Sequence, residues 1–217
     1  MELSHIRSLW LPISAMALTV LVSNILVQFL LGDWLTWAAL TYPIAFIITA
    51  LTNQFWNSTA AGMVVFYGFI TGIVCSLVAS QITDANGIPY TTLRIAIASL
   101  TAFVVAQIVD IYAFNKLRSL DWWRAPFIAS FIAALVDTML FFTIAFSSYF
   151  VFLTPSAPPA IFGAPTPIFG LFASAPLWVS LAIADFCVKV VIIFLALQPF
   201  RAAIKRHTSK ESVDGES

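Results

Sequence analysis

Charged residues are scarce in this chain: they make up 9% of its 217 residues, whereas hydrophobic residues make up 61%. A soluble domain carries about a quarter charged residues, and this composition leaves too little polar surface to cover a water-exposed globule. The formal net charge is zero, so no basic surface points to nucleic acid as a partner. The composition predicts a protein whose surface contacts membrane lipid.

Cysteine and histidine are rare as well. The cysteines, Cys75 and Cys187, lie in apolar runs without a metal-ligand pattern, which favours small buried residues over a metal site or a disulfide. The histidines, His5 and His207, lie at the two ends of the chain, and glycine-rich phosphate loops are absent. These absences argue against an enzyme and predict no cofactor. A pair of intramembrane carboxylates is the one catalytic alternative left, and it is not favoured.

Six apolar runs are long enough to cross a bilayer, which takes about 20 mostly apolar residues. They cover residues 12–31, 34–52, 60–80, 93–114, 123–148 and 175–200. The sequence therefore predicts an all-α membrane protein, with one domain of six transmembrane helices over residues 1–207. The polar tail over 208–217 is predicted to be disordered.

Lysine and arginine predict the orientation, because they favour the cytoplasmic side of a membrane. With the N-terminus inside, the three outer connections hold no basic residue, only Asp33 and Asp84. Both termini are therefore predicted to be cytoplasmic. The basic residues that fall in the cytoplasm are Arg7, Lys116, Arg118, Arg124, Arg201, Lys205, Arg206 and Lys210.

One outer connection is unusual, since residues 154–167 hold five prolines and no charge. Proline lacks a backbone donor and fixes φ, so this segment cannot form a regular helix. Two interpretations remain open: a lid over a cavity, and a loop that rests on the lipid headgroups.

Five ionisable side chains lie inside the predicted spans, where each costs about 2.5–3.5 kcal/mol on insertion scales and usually faces the bundle interior. They are Arg94, Asp110, Asp137, Asp185 and Lys189. Asp185 and Lys189 are spaced i, i+4 and can pair, either as a self-neutralising ion pair or as part of a binding site. Asp137 has no basic neighbour in its own helix, so we expect Lys189 or a ligand to pair with it.

Another polar stripe is predicted on the fourth span, where Gln107 and Asp110 lie one turn apart with Phe103 and Phe114 on the same face. Carboxylates and basic partners at different depths are typical of a binding pocket rather than a pore lined by rings of charge. The pattern favours a transporter over a membrane scaffold.

Several segments resemble the queuosine-precursor transporters of the vitamin-uptake-like (VUT) family, which are multi-pass proteins of the bacterial inner membrane. They are LRIAIASLTAFVVAQIVDIYAFNKLR (93–118), WWRAP (122–126), DTMLFFTIAF (137–146) and APLWVSLAIADFCVKVVI (175–192). The resemblance implies import of 7-cyano-7-deazaguanine and 7-aminomethyl-7-deazaguanine for salvage in tRNA modification. It also implies a fold like that of the substrate-binding subunits of energy-coupling-factor transporters.

Those subunits dock on an ATPase module through small residues spaced AxxxA on the first helix. In this chain the residue four positions after Ala15 is Thr19, and the residue four positions after Ala17 is Leu21. The missing pattern favours a stand-alone carrier over the alternative, a binding subunit that needs a dedicated ATPase module. Association of several copies, and the driving force, are left open.

The chain departs from the family at one position. The family commonly has an aspartate in a pattern like TDLTN, and this chain reads Thr49-Ala50-Leu51-Thr52-Asn53. If that aspartate binds substrate or couples ions, this member differs from its family in substrate or in activity.

The implied ligand suggests roles for the polar residues. A deazaguanine edge offers two N–H donors to a carboxylate and a carbonyl to an amide or a cation. We expect Asp137 or Asp185 to accept the donors, Gln107 to read the edge, and Arg94 or Lys189 to donate. Asp110 is expected to belong to the inner half of the path.

Overall fold

The computed structural model describes residues 3–27, 29–31, 35–83, 87, 89–153, 160–167 and 174–214. Within these residues, six helical segments are long and apolar enough to cross a membrane. The prediction of an all-α protein with six spans is therefore confirmed.

Seven α-helices, two short 3₁₀ helices and two small antiparallel strand pairs make up the regular structure of the described residues. The strand pairs are β1 (Leu30–Leu31) with β2 (Leu35–Thr36), and β3 (Pro165–Pro167) with β4 (Ser174–Pro176). The helices are α1 (Leu3–Leu26), α2 (Ala38–Thr41), α3 (Ile44–Phe55), α4 (Ser58–Gln81), α5 (Leu93–Leu117), α6 (Arg124–Phe146) and α7 (Leu177–Asp214). An even number of spans brings the start of α1 and the end of α7 to one side, which we call the terminal side.

The ends of α1 and α7 differ from the predicted spans. Helix α1 ends at Leu26 rather than at 31, because Leu30 and Leu31 pair with β2 instead. Helix α7 continues past the predicted end at 200 and includes residues 208–214, which the sequence predicts to be disordered. Extending an existing helix avoids the cost of nucleation, so a polar segment can remain helical there. Residues 215–217 of that tail lie outside the described residues.

The second span is interrupted between α2 and α3, at Tyr42 and Pro43. Both residues keep right-handed helical dihedral angles, but Pro43 has no N–H to continue the ladder of hydrogen bonds. The last bond of α2 runs from Tyr42 N to Ala38 O at 2.9 Å. The interruption directly precedes Ile44, the first residue of α3, and it determines where the Tyr42 side chain lies.

Small residues allow α5 and α6 to approach each other closely. Ala98, Ala102 and Ala106 recur every four residues on α5, and all are buried. Ala129 and Ala133 recur in the same way on α6 and are also buried. In a membrane, small residues let helix backbones pack tightly. This packing brings the polar side chains of α5 against those of α6.

The outward faces of the helices are apolar. Leu18, Leu77, Phe194 and Leu195 are each more than 60% exposed, as expected for side chains that contact lipid. Of the proline-rich connection, the structure describes residues 160–167. There the Phe162 ring lies 4.4 Å from that of Phe146 at the end of α6. The lid interpretation stays a prediction.

Candidate functional site

The polar side chains of α6 and α7 meet halfway through the bundle. Asp137 lies 13 residues after the start of α6 and Lys189 12 residues after the start of α7, which is about 20 Å along each helix at 1.5 Å per residue. Lys189 Nζ lies 2.7 Å from Asp137 Oδ2 and 2.5 Å from Asp185 Oδ2. The predicted i, i+4 pair is therefore present, and Asp137 pairs with Lys189, one of its two predicted partners.

Thr138 links the two carboxylates to the lysine. Its hydroxyl donates to Asp185 Oδ2 at 2.8 Å and accepts from Lys189 Nζ at 3.0 Å. Asp137, Thr138 and Lys189 are each at most 4% exposed. The Asp185 side chain is 16% exposed. Asp185 is thus the member of the group that is most accessible to a solute.

Tyr42 completes this group from the interruption between α2 and α3. Its hydroxyl donates to Asp137 Oδ1 over a long 3.4 Å, and its ring centroid lies 5.6 Å from Lys189 Nζ. The Tyr42 ring also meets Phe46 and Phe103 edge to face, with centroids 6.3 Å apart in both cases. We call Tyr42, Asp137, Thr138, Asp185 and Lys189 the central cluster.

The central cluster carries more negative than positive charge. Two carboxylates face one ammonium group, which leaves a formal charge of −1. Both oxygens of Asp137 are engaged, by Lys189 and by Tyr42, whereas Oδ1 of Asp185 has no hydrogen bond within the described part of the chain. Because the Asp185 side chain is partly exposed, this oxygen is available to a donor from outside the cluster. The cluster is suited to accept hydrogen bonds from a neutral or cationic ligand.

A crevice of about 270 Å³ adjoins the central cluster at Tyr42, which lines it. Phe103 supplies a second aromatic wall, and Asn24 and Ser99 supply polar groups. Asn24 also donates to the carbonyl of Val20 at 2.8 Å. The remaining lining residues are Val20, Gly68, Gly72 and Leu100.

A separate polar group lies closer to the terminal side, between α3, α5 and α6. Thr49 Oγ1 donates to Gln107 Oε1 at 2.7 Å, Ser130 Oγ donates to Asp110 Oδ1 at 2.9 Å, and Asn53 Nδ2 donates to the carbonyl of Ile111 at 3.5 Å. We call Thr49, Asn53, Gln107, Asp110 and Ser130 the second cluster. All its members are at most 4% exposed. Gln107 and Asp110 therefore lie together, as predicted, but in a different group from Asp137, Asp185 and Lys189.

Arg94 lies elsewhere, at the far end of α5 from the terminal side. It is buried, and it donates to the backbone carbonyls of Ile144, at 2.7 Å from Nε, and of Ser147. These carbonyls belong to the end of α6, where the last helical carbonyls lack partners within the helix. The contacts of Arg94 are those of a helix cap, and its role as a substrate donor stays a prediction.

Sequence reasoning missed Tyr42, Thr138 and Ser130. The sequence does contain a signal for two of these residues. Tyr42 directly precedes a proline inside an apolar span, and Ser130 lies seven residues before Asp137, on the same face of α6.

Ala50, at the position where the resemblance implies an aspartate, lines a crevice of about 240 Å³ on the terminal side of the bundle. Ser130 of the second cluster lines the same crevice, together with Phe200 of α7. Ala50 itself is 2% exposed. Position 50 therefore lies beside the second cluster.

Comparison with known proteins agrees with this architecture. A family model described as "Putative vitamin uptake transporter" matches residues 36–204, which is most of the chain and all of both clusters. The chain belongs to the vitamin uptake transporter family. From this family and the six apolar helices it follows that the chain is a multi-pass protein of the bacterial inner membrane. Its family is one of transporters.

Two curated relatives have similar sequences. The "Queuosine precursor transporter" of Escherichia coli (strain K12) is 29% identical over 210 residues, covering 91% of this chain and 86% of the relative. The "Probable queuosine precursor transporter" of Haemophilus influenzae (strain Rd) is 36% identical over 121 residues, about half of each chain. No solved structure matches the chain significantly, so the likeness to energy-coupling-factor subunits stays a prediction.

Proposed function

We propose that this chain imports queuosine precursors, with both termini in the cytoplasm, and so supplies 7-cyano-7-deazaguanine or 7-aminomethyl-7-deazaguanine for salvage in tRNA modification. The names of the two curated relatives support the substrate class. The split of basic residues between the two sides supports the orientation. In this orientation the terminal side is the cytoplasmic side, and the second cluster belongs to the inner half of the path.

The observation that carries the proposal is the unpaired Oδ1 of Asp185 in a negatively charged, aromatic surrounding. A deazaguanine offers a ring N–H and an exocyclic amino group on one edge. Oδ1 of Asp185 can accept one of these donors at once, and Oδ2 can accept the other after Lys189 leaves it. Asp185 is the acceptor in this proposal, because both oxygens of Asp137 are already engaged. Tyr42 and Phe103 would contact the flat faces of the heterocycle.

The other polar residues have supporting roles in this scheme. Lys189 holds the two carboxylates together, and it donates to the ligand's carbonyl when its pair with Asp185 opens. The net charge of −1 would favour the aminomethyl precursor, whose amine is cationic at neutral pH, over the cyano precursor. Gln107 and Asp110 would act after the central cluster, on the inner half of the path.

The proposal is tested in a bacterial strain that cannot synthesise queuosine precursors and lacks its own importer. Expression of this chain should restore queuosine in tRNA when a precursor is added at nanomolar concentration. The variant Asp185→Asn should insert in the membrane but fail to restore it, whereas Asp121→Asn should behave as the parent, because Asp121 is exposed at the surface. Unmodified tRNA in cells that contain the inserted parent protein would refute the substrate.

Liposomes separate this carrier from the alternative, a binding subunit of an energy-coupling-factor transporter. The purified chain alone should take up a labelled precursor. Uptake that appears only after an ATPase module is added would favour the subunit.

A further inference from the structure

The second cluster contains three buried side chains whose hydrogen bonding is incomplete. Asn53 Oδ1, Gln107 Nε2 and Asp110 Oδ2 have no partner among the described residues, and all three residues are 0% exposed. One polar atom of Gln107 stays unpaired even if its amide is turned over, because Thr49 Oγ1 can serve as donor or acceptor. An unsatisfied polar atom in the bilayer core costs several kcal/mol, so three together call for a ligand.

The charge of Asp110 is not balanced by a neighbouring cation. On its own helix the nearest charged side chain is Lys116, six residues away and about 9 Å along the axis. On α6 the nearest to Ser130 is Arg124, six residues or about 9 Å away along the axis, and it is exposed and paired with Asp121 at 3.2 Å. Asp137 lies about 10 Å in the other direction and is paired with Lys189. Helix α3 contributes only Thr49 and Asn53, and the crevice wall from α7 is apolar, consisting of Ile193, Ala196, Leu197 and Phe200.

The unpaired atoms define the chemistry of the missing partner. Asp110 Oδ2 and Asn53 Oδ1 are both acceptors, and one of them is anionic, so the partner must be positive or must donate. The burial of the whole cluster excludes a bicyclic heterocycle without rearrangement, whereas a single ion fits between side chains. Carboxylate and amide oxygens suit hard cations, and carboxylates inside membrane spans serve as proton or sodium sites in carriers.

We propose that the second cluster binds one small monovalent cation, Na⁺ or a proton, with Asp110 and Asn53 as its principal ligands. A sodium ion would take Asp110 Oδ2, Asn53 Oδ1 and the carbonyl oxygen of a turned Gln107. A proton on Asp110 would turn that oxygen into a donor to Asn53. Either occupant removes the uncompensated charge and pairs the free acceptors. The site lies apart from the central cluster, so the cation and the solute of the proposed function would bind at different positions.

The test measures cation binding to the purified full-length chain and does not require the substrate to be known. Thermal unfolding in detergent is followed in NaCl and in N-methyl-D-glucamine chloride of equal ionic strength, at several pH values. Binding of sodium should raise Tm by about 3–6 °C at ten times its Kd. Binding of a proton should instead raise Tm on acidification, without a preference for sodium.

Two Asp-to-Asn variants make the test specific. Asp110→Asn places an amide donor where the proton or the ion would act, so the protein should fold and lose the response to sodium or to pH. Asp121→Asn changes an exposed aspartate that pairs with Arg124 at 3.2 Å, and it should keep the response. A parent protein that responds to neither sodium nor pH, or a response unchanged in Asp110→Asn, would overturn the proposal. Because the readout is Tm, failure here leaves the proposed import function intact.

Discussion

Lys189 stabilises the bundle by holding two carboxylates together, and its replacement by methionine should reveal that role. Oδ2 of Asp137 and Oδ2 of Asp185 lie 2.7 Å and 2.5 Å from Nζ, so these oxygens are at most about 5 Å apart. Without the ammonium group they repel by about 3 kcal/mol at an effective dielectric constant of 20. Breaking a buried pair by removing one partner costs about 3–5 kcal/mol. We expect Lys189→Met to lower the free energy of unfolding by about 3–5 kcal/mol.

Asp185→Asn should have a different effect, although it alters the same cluster. The Lys189–Asp137 pair remains, the formal charge of the cluster falls from −1 to 0, and an amide oxygen can still accept from Thr138. Stability should therefore change by only about 1 kcal/mol or less, while precursor uptake is lost.

Thermal unfolding of the purified variants separates the two effects. At about 2–4 °C per kcal/mol, Lys189→Met should lower Tm by roughly 6–20 °C, and Asp185→Asn by only a few degrees. Equal losses of stability in the two variants would refute the reasoning, because they would mean that the lysine does not balance two charges.

Three further changes test the surroundings of the clusters. Tyr42→Phe should lower Tm by no more than a few degrees and keep most uptake, since it removes only a 3.4 Å hydrogen bond and keeps the ring; a large loss of uptake would show that the hydroxyl matters. Gly68→Val should destabilise by about 1–3 kcal/mol through overpacking, because a Cβ there lies 2.7 Å from the side chain of Met16. Gly62→Val should not destabilise, because a Cβ at that position has nothing within 4 Å. The Tm values of the two variants test this difference. Arg94→Met should cost about 1–3 kcal/mol for each carbonyl left without a donor, and unchanged Tm would contradict its capping role.

The sequence predicts the helices well because each span needs about 20 apolar residues, and composition alone shows where they are. The interruption at Tyr42 and Pro43 was not predicted, because an apolar run continues through it and hydropathy does not register a missing backbone donor. The end of α7 was missed for a related reason, since polar composition does not decide whether a helix continues from a stable segment.

The site was predicted in part. Insertion cost identifies Asp137, Asp185 and Lys189 as interior residues, and helical spacing predicts the Asp185–Lys189 pair. Which helix meets which depends on tertiary packing, so the separation of Gln107 and Asp110 from the central cluster could not be derived. A hydroxyl group such as that of Thr138 costs little free energy inside a membrane span, so its role in the site cannot be recognised from the sequence.

The central claim is that Asp185 reads the donor edge of the deazaguanine. Equilibrium binding of a queuosine precursor to the purified chain and to Asp185→Asn tests it most directly. Losing one charged acceptor of a bidentate pair should cost about 2–3 kcal/mol, which weakens Kd by roughly 30- to 150-fold, with Tm nearly unchanged. An Asp185→Asn variant that binds the precursor as tightly as the parent would contradict the account.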